Sequence, residues 1–373
     1  MKRSYLLVAG VAVAGLVAAC GDSGTPSQSK PSATAASSAP AQAASAAAPK
    51  AVTVDREMLA AFAPLPKEAP NAKNPSTPEK VELGRQLYFD ARLSKNHDVS
   101  CNTCHDLTKF GVDNKPTSPG HKGQLGTRNS PTVYGAALHF RQFWDGRAED
   151  VEEQATMPIT NPVEMAMPDE KRVVETLTSI PQYVEAFKKA FPEDKEPVSL
   201  ANVGKAIGAF ERTLLVRGKW DKYLEGDESA LSESEKAGLV AFMEAGCQTC
   251  HAGPMLGGQN YQKLGSVRPW GESKDQGRYD HTKVDTDKML FKTPTLRNIA
   301  KTGPYYHDGS IKDLSEATTK MAIHQLGKNL SEQQTRAIVR FLEALTMDAP
   351  PAELIKAPEA FPSTDKTPKA DPS

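Results

Sequence analysis

Two five-residue motifs constrain this chain more than anything else in it: Cys101-Asn102-Thr103-Cys104-His105 and Cys247-Gln248-Thr249-Cys250-His251. They use four of its 5 cysteines, and the fifth is Cys20. A thioredoxin-like redox pair expects a βαβ setting and no histidine at the fifth position. Paired zinc-binding Cys-x-x-Cys motifs lie about 15–20 residues apart, whereas these begin 146 residues apart. Structural disulfides remain open to an exported chain. The histidine after the second cysteine marks a further use, covalent attachment of c-type haem. There both thiols add to the haem vinyl groups, and the histidine takes the iron from its proximal side. Two copies that consume every cysteine but one predict two haem c groups, on Cys101, Cys104 and His105 and on Cys247, Cys250 and His251.

The remaining cysteine closes a leader. Lys2 and Arg3 precede an apolar stretch, Tyr5 to Val17, shorter than the roughly 20 residues a membrane span needs. It ends in Val17-Ala18-Ala19-Cys20. This reads as a signal peptide over 1–19 whose lipobox makes Cys20 the lipidated first residue of the mature chain; the plainer reading is an ordinary cleavage site with an incidental cysteine. Asp22 to Lys50 holds no Val, Ile, Leu, Met or aromatic residue. It cannot bury enough apolar surface to offset its ordering entropy, so 20–52 is expected to be a flexible linker with a reach of roughly 30 Å. The expected location is the bacterial cell envelope, on the periplasmic side, anchored by lipid. At the other end, 349–373 is rich in Pro and Lys and reads as a strap or a disordered tail. The net charge of −1 gives no pull toward nucleic acid.

Between these ends the patterning is helical. Ser232 with Glu235 and Ser331 with Gln334 form capping boxes, and Thr77-Pro78 pairs an N-cap with proline at the first helical position. The helix after Ser331 carries Ile338, Phe341, Leu342 and Leu345 on one face. Further helices are expected over Glu170–Ile180 and from Ser199 to about Leu215. No stretch alternates with a period of two, so the fold class is all-α. The helices after Thr77 and Ser232 each lead into a Cys-x-x-Cys-His motif, which suggests two copies of one module. Domains of 53–214 and 215–348 follow.

From about Pro78 to Met347 the chain resembles the bacterial dihaem cytochrome c peroxidases. The resemblance is carried by Leu87-Tyr88-Phe89-Asp90-Ala91-Arg92-Leu93-Ser94, both haem motifs, Arg128-Asn129-Ser130-Pro131-Thr132, Phe143-Trp144-Asp145-Gly146-Arg147, Asn161-Pro162-Val163-Glu164-Met165 and Leu296-Arg297-Asn298. It implies two cytochrome c-like domains, the first with a peroxidatic haem and the second with a high-potential, electron-receiving haem. Without it, His97, His121, His139, His281, His307, His324 and the ten methionines would all be candidate sixth ligands. With it, the displaceable distal histidine falls on His121, in Ser118-Pro119-Gly120-His121, and the distal methionine on Met321, with His324 as a neighbouring competitor. A tyrosine replaces that methionine in the related oxidases that modify methylamine dehydrogenase.

The resemblance also implies that Glu164 is the acid–base group of the peroxide pocket with Gln154 beside it. Trp144 would lie between the haems, and a calcium ion would be bound through Asn129, Thr302 and Pro304. A carboxyl suits the chemistry, since peroxide must lose a proton from one oxygen and gain one on the other before its O–O bond breaks. The implied activity is reduction of hydrogen peroxide to water with electrons from a small cytochrome c or copper protein. The rival readings are a dihaem electron carrier without turnover and a dihaem oxidase acting on a protein. Members of the family are usually soluble periplasmic homodimers, and the lipobox departs from that pattern.

Overall fold

Helices begin in this chain where a short polar side chain can satisfy the first free amides. In a computed structural model that describes residues 51–373, they are α1 (Pro78–Phe89), α2 (Cys101–Cys104), α3 (Val151–Thr160), α4 (Glu170–Thr178), α5 (Pro181–Ala190), α6 (Leu200–Glu211), α7 (Lys219–Leu224), α8 (Glu233–Ala245), α9 (Tyr279–Thr282), α10 (Leu314–Leu326), α11 (Glu332–Ala344) and α12 (Ala352–Ile355). Thr77 caps α1 by accepting from the Lys80 amide, and reciprocal capping boxes at Ser232–Glu235 and Ser331–Gln334 open α8 and α11. α4 stops short of the expected Ile180 because Pro181 opens α5. Cys20, the 1–19 leader and nearly all of the 20–52 linker lie outside the described residues.

The fold is mostly helical, with a single short ribbon among the described residues. Tyr261–Lys263 (β1) and Leu290–Lys292 (β2) form an antiparallel ribbon with Tyr261 opposite Lys292. Three residues per strand are too few for alternation to show in sequence.

Two apolar cores are built to one plan. In the first, α1 crosses α6 around Leu87, Tyr88, Ile207 and Phe210. In the second, α8 crosses α11 around Leu239, Phe242, Ile338 and Phe341. Each crossing is closed by a glycine: a Cβ at Gly84 would fall 1.9 Å from the Ala206 carbonyl oxygen, and one at Gly238 would fall 2.1 Å from that of Ala337. Each core also holds a bidentate ion pair, Arg212 with Glu152 and Arg297 with Asp221.

The two ends of the described chain are exchanged between these cores. Leu59 and Phe62, expected with the first domain, pack in the second core, where the Phe62 ring stands edge-on to Trp220 at 5.4 Å. The tail is an ordered strap, not a disordered end. Leu354, Ile355 and Phe361 lie on the first core, with Phe361 edge-on to Tyr183 at 4.9 Å. The reason is local in both cases: each carries an aromatic ring that finds an aromatic partner.

Candidate functional site

Each Cys-x-x-Cys-His motif directs its histidine at a backbone carbonyl. His105 Nδ1 lies 3.0 Å from the Pro131 oxygen, and His251 Nδ1 lies 3.0 Å from that of Leu256. A carbonyl partner fixes the proton on Nδ1 and leaves the Nε2 lone pair free for a ligand. Burial holds both imidazoles below their ordinary range, and so neutral, against the upward pull of their backbone hydrogen bonds. Behind each histidine stands the same dipeptide. Thr132 Oγ1 donates to the Phe110 oxygen at 2.6 Å, and Thr295 Oγ1 donates to that of Met255 at 2.6 Å. Pro131-Thr132 is in the resemblance, whereas its counterpart Pro294-Thr295 was missed; only the repeated dipeptide could have pointed to it.

The four motif thiols are free. Burial pushes Cys101 and Cys247 up to about 12 and Cys104 up to about 11, so they are neutral thiols. Among the described residues no three His, Cys, Asp or Glu gather into a metal site. A Cys-x-x-Cys pair beside an imidazole whose Nε2 is left free fits thioether attachment of haem.

At the second motif, Cys247, Cys250, His251 and Met321 line one cavity together with Phe242, Leu326 and Leu342. Met321 reaches it from α10. His324, one turn further on, is turned away: its Nδ1 meets the Arg268 oxygen at 3.1 Å and its ring packs on Trp270 at 4.8 Å. This leaves Met321 as the soft donor facing His251's cavity.

Around the first motif, His121 is buried on a tight loop. Its amide donates to the Glu164 oxygen at 2.7 Å. Gly120 allows that approach, since a Cβ there would lie 2.1 Å from the Val163 oxygen. His121 Nε2 faces a Ser373 main-chain oxygen at 3.4 Å, and Nδ1 is buried without a partner. Beyond it the loop tip is open, with nothing near a Cβ at Gly123 or Gly126 and Leu125 63% exposed. The Glu164 carboxyl is half-buried and close enough to Cys104 to raise that thiol. Burial raises Glu164 itself, opposed by the charge of Arg147 and a hydrogen bond from Asn161. Gln154 is half-buried on α3, and among the described residues its side chain makes no hydrogen bond that ties it to Glu164.

Trp144 joins the two motifs' surroundings. Its Nε1 donates to the Asn129 oxygen at 2.9 Å and its own carbonyl accepts from the Lys292 amide at 2.7 Å. Asn129, Thr302 and Pro304 line the same cavity as Trp144. These are the three positions at which the resemblance implies calcium ligands.

Two similar cores, each with a Cys-x-x-Cys-His motif whose imidazole is preset by a backbone carbonyl, define a protein built on a duplicated helical plan. Residues 78–229 match the family described as di-haem cytochrome c peroxidase. The chain is 45% identical to the cytochrome c551 peroxidase of Pseudomonas aeruginosa, over 83% of its own length and 90% of that protein's. It is 44% identical to the cytochrome c551 peroxidase of Nitrosomonas europaea, over 81% of this chain and 89% of that one. Among solved structures it superposes on a MauG-like protein associated with microbial copper homeostasis with a TM-score of 0.69 at 28% identity, over 79% of this chain and 95% of that one. The chain belongs to the di-haem cytochrome c peroxidase family.

Proposed function

We propose that this protein reduces hydrogen peroxide to water, consuming two protons and two electrons supplied by a small cytochrome c or copper protein. The observation that carries the reading is Glu164. It is a half-buried carboxyl beside the first Cys-x-x-Cys-His, raised by burial, with its backbone bonded to the loop that bears His121. An electron carrier with both irons permanently closed has no use for such a group. The relatives named above as peroxidases support the same reading.

The two haems, held by Cys101, Cys104 and His105 within 53–214 and by Cys247, Cys250 and His251 within 215–348, would supply the redox equivalents. The protein's own residues do the rest. Glu164 takes a proton from one peroxide oxygen and returns it to the other. The charge of Arg147 opposes the burial that raises Glu164 and so favours the ionised form that acts as the base. His121 closes the first site until its loop swings out, and the open tip at Gly123 and Gly126 gives the loop room. Met321 sets the second site for electron receipt. Trp144 packs between the sites and bridges them. Gln154, half-buried on α3, would assist Glu164 in the peroxide pocket. Asn129, Thr302 and Pro304 would hold calcium through oxygen atoms, and Cys20 would tether the protein by lipid in the periplasm. A homodimer is compatible with all of this.

The test is steady-state peroxide consumption by the holoprotein with reduced cytochrome c and calcium, fully oxidised against half-reduced. Turnover only after half-reduction is expected. Turnover in both states keeps the peroxidase and removes the His121 gate. No turnover, with two haems counted spectrally, replaces the peroxidase with the electron carrier or the dihaem oxidase.

A further inference from the structure

The cavity beside Cys247, Cys250 and His251 is lined by apolar and neutral polar side chains, and Lys292 is the one Lys, Arg, Asp or Glu that lines it. Lys292 is 5% exposed. Its ammonium donates to His139 Nδ1 at 2.9 Å, and among the described residues it has no carboxylate partner. Asp145 exerts the upward pull on it, but that carboxylate is already bonded by Arg128 and Arg147. A buried ammonium facing only a neutral imidazole is costly, because desolvation is not offset by an opposite charge.

The arrangement is nonetheless built, not incidental. The Lys292 amide is fixed to the Trp144 oxygen, and β2 pairs Lys292 with Tyr261. His139 has room only because residue 258 is glycine: a Cβ there would lie 2.2 Å from His139 Cδ2. Burial, then the charge of Lys292, hold His139 well below the ordinary imidazole range, so it accepts from the ammonium. Two further positions on this cavity, Asn129 and Trp144, approach it from the first haem module. An oriented cation without a counter-ion, aimed into a cavity of apolar and neutral polar side chains, is half of an ion pair.

The group expected in this cavity carries two carboxylates of its own. We propose that Lys292, oriented by His139, binds a propionate of the haem attached at Cys247 and Cys250, and so supplies that haem's buried counter-charge. The proposal rests on the two-haem reading above. Burial alone draws Lys292 down to about 7, and a carboxylate partner would restore its full charge at neutral pH. A positive charge held next to this haem favours its reduced form, which is what an electron-receiving site needs. His139 is then a positioning residue and touches the haem only through Lys292.

The experiment combines the crystal structure of the holoprotein with the variants Lys292→Gln and Lys292→Arg, read by haem count and by spectroelectrochemistry of the methionine-ligated haem. A propionate oxygen within hydrogen-bond distance of Lys292 Nζ is expected in the crystal. Lys292→Gln is expected to keep both haems and lower the midpoint potential of the second, with Lys292→Arg restoring most of the shift. Two results overturn the proposal: propionates of the second haem bonded elsewhere while Lys292 keeps only His139, or a two-haem Lys292→Gln protein with an unchanged potential. If Lys292→Gln fails to mature, the wild-type crystal still decides. A wild-type chain with no haem at Cys247 and Cys250 overturns the two-haem reading itself, which separates that failure from this one.

Discussion

Glu164 and Arg147 show what one charge does to another across a fold. Burial lifts the Glu164 carboxyl above its ordinary value, and the Arg147 guanidinium, stacked 3.4 Å over the Phe143 ring, opposes that lift. Protonated Glu164 cannot accept peroxide's proton, so kcat/KM falls as the pH drops through its pKa. Removing Arg147's charge raises that pKa further, so the acid limb of the pH profile in Arg147→Gln moves to higher pH. Asp145 keeps Arg128 as a partner in that variant, so the loop retains an anchor. Glu164→Gln should lose about 10²-fold or more in kcat with both haems in place. An acid limb unmoved by Arg147→Gln would mean that another group titrates. Glu164 was legible because it stands in a recognisable five-residue stretch. Arg147 stands in another such stretch, but its influence on Glu164 exists only once the fold has brought the two segments together. Lys292 and His139 were unreadable for the same reason: 153 residues separate them.

At the scale of elements, what was legible was where helices start, because capping is local chemistry. Thr77, Ser232 and Ser331 each bond an amide three residues on. What was not legible was where helices cross. A glycine inside a helix reads as a cost of about 1 kcal/mol relative to alanine, with no hint that Gly84 and Gly238 let backbones touch. That close approach reverses the usual sign of a Gly→Ala change. Gly84→Ala puts a methyl against the Ala206 carbonyl and Gly238→Ala against that of Ala337. Each should destabilise the protein by about 1–3 kcal/mol despite better helix propensity, read from urea unfolding of the holoprotein. A stabilised variant at either position would mean that the helices separate at little cost. The buried pairs Arg212–Glu152 and Arg297–Asp221 were equally hidden, since each joins residues at least 60 apart.

Across the whole molecule, the exchange of chain ends links the strap to the site. The path consists of named bonds. Phe361 packs on Tyr183, and Thr364 Oγ1 donates to the Ser179 oxygen. The Asp371 amide donates to the Lys95 oxygen at 2.9 Å, while the Lys95 amide donates to the Met165 oxygen at 2.8 Å. Met165 follows Glu164, whose oxygen receives the His121 amide. The strap therefore braces the segment that carries Glu164 and fixes the base of the His121 loop. Its composition concealed this: a Pro- and Lys-rich tail with one phenylalanine gives no sign of which core that ring will reach. Phe361→Ala removes a half-buried ring and should cost about 2 kcal/mol locally, which is more than tenfold in the opening equilibrium. Hydrogen exchange at 91–99 and 161–167 should accelerate by that order while α8, in the other core, keeps its protection. If the brace also restrains His121, the fully oxidised variant should show peroxide turnover that fully oxidised wild type lacks. Faster exchange with an oxidised variant as inactive as wild type would confine the strap to stability, and unchanged exchange at 161–167 would show that the path of bonds transmits nothing.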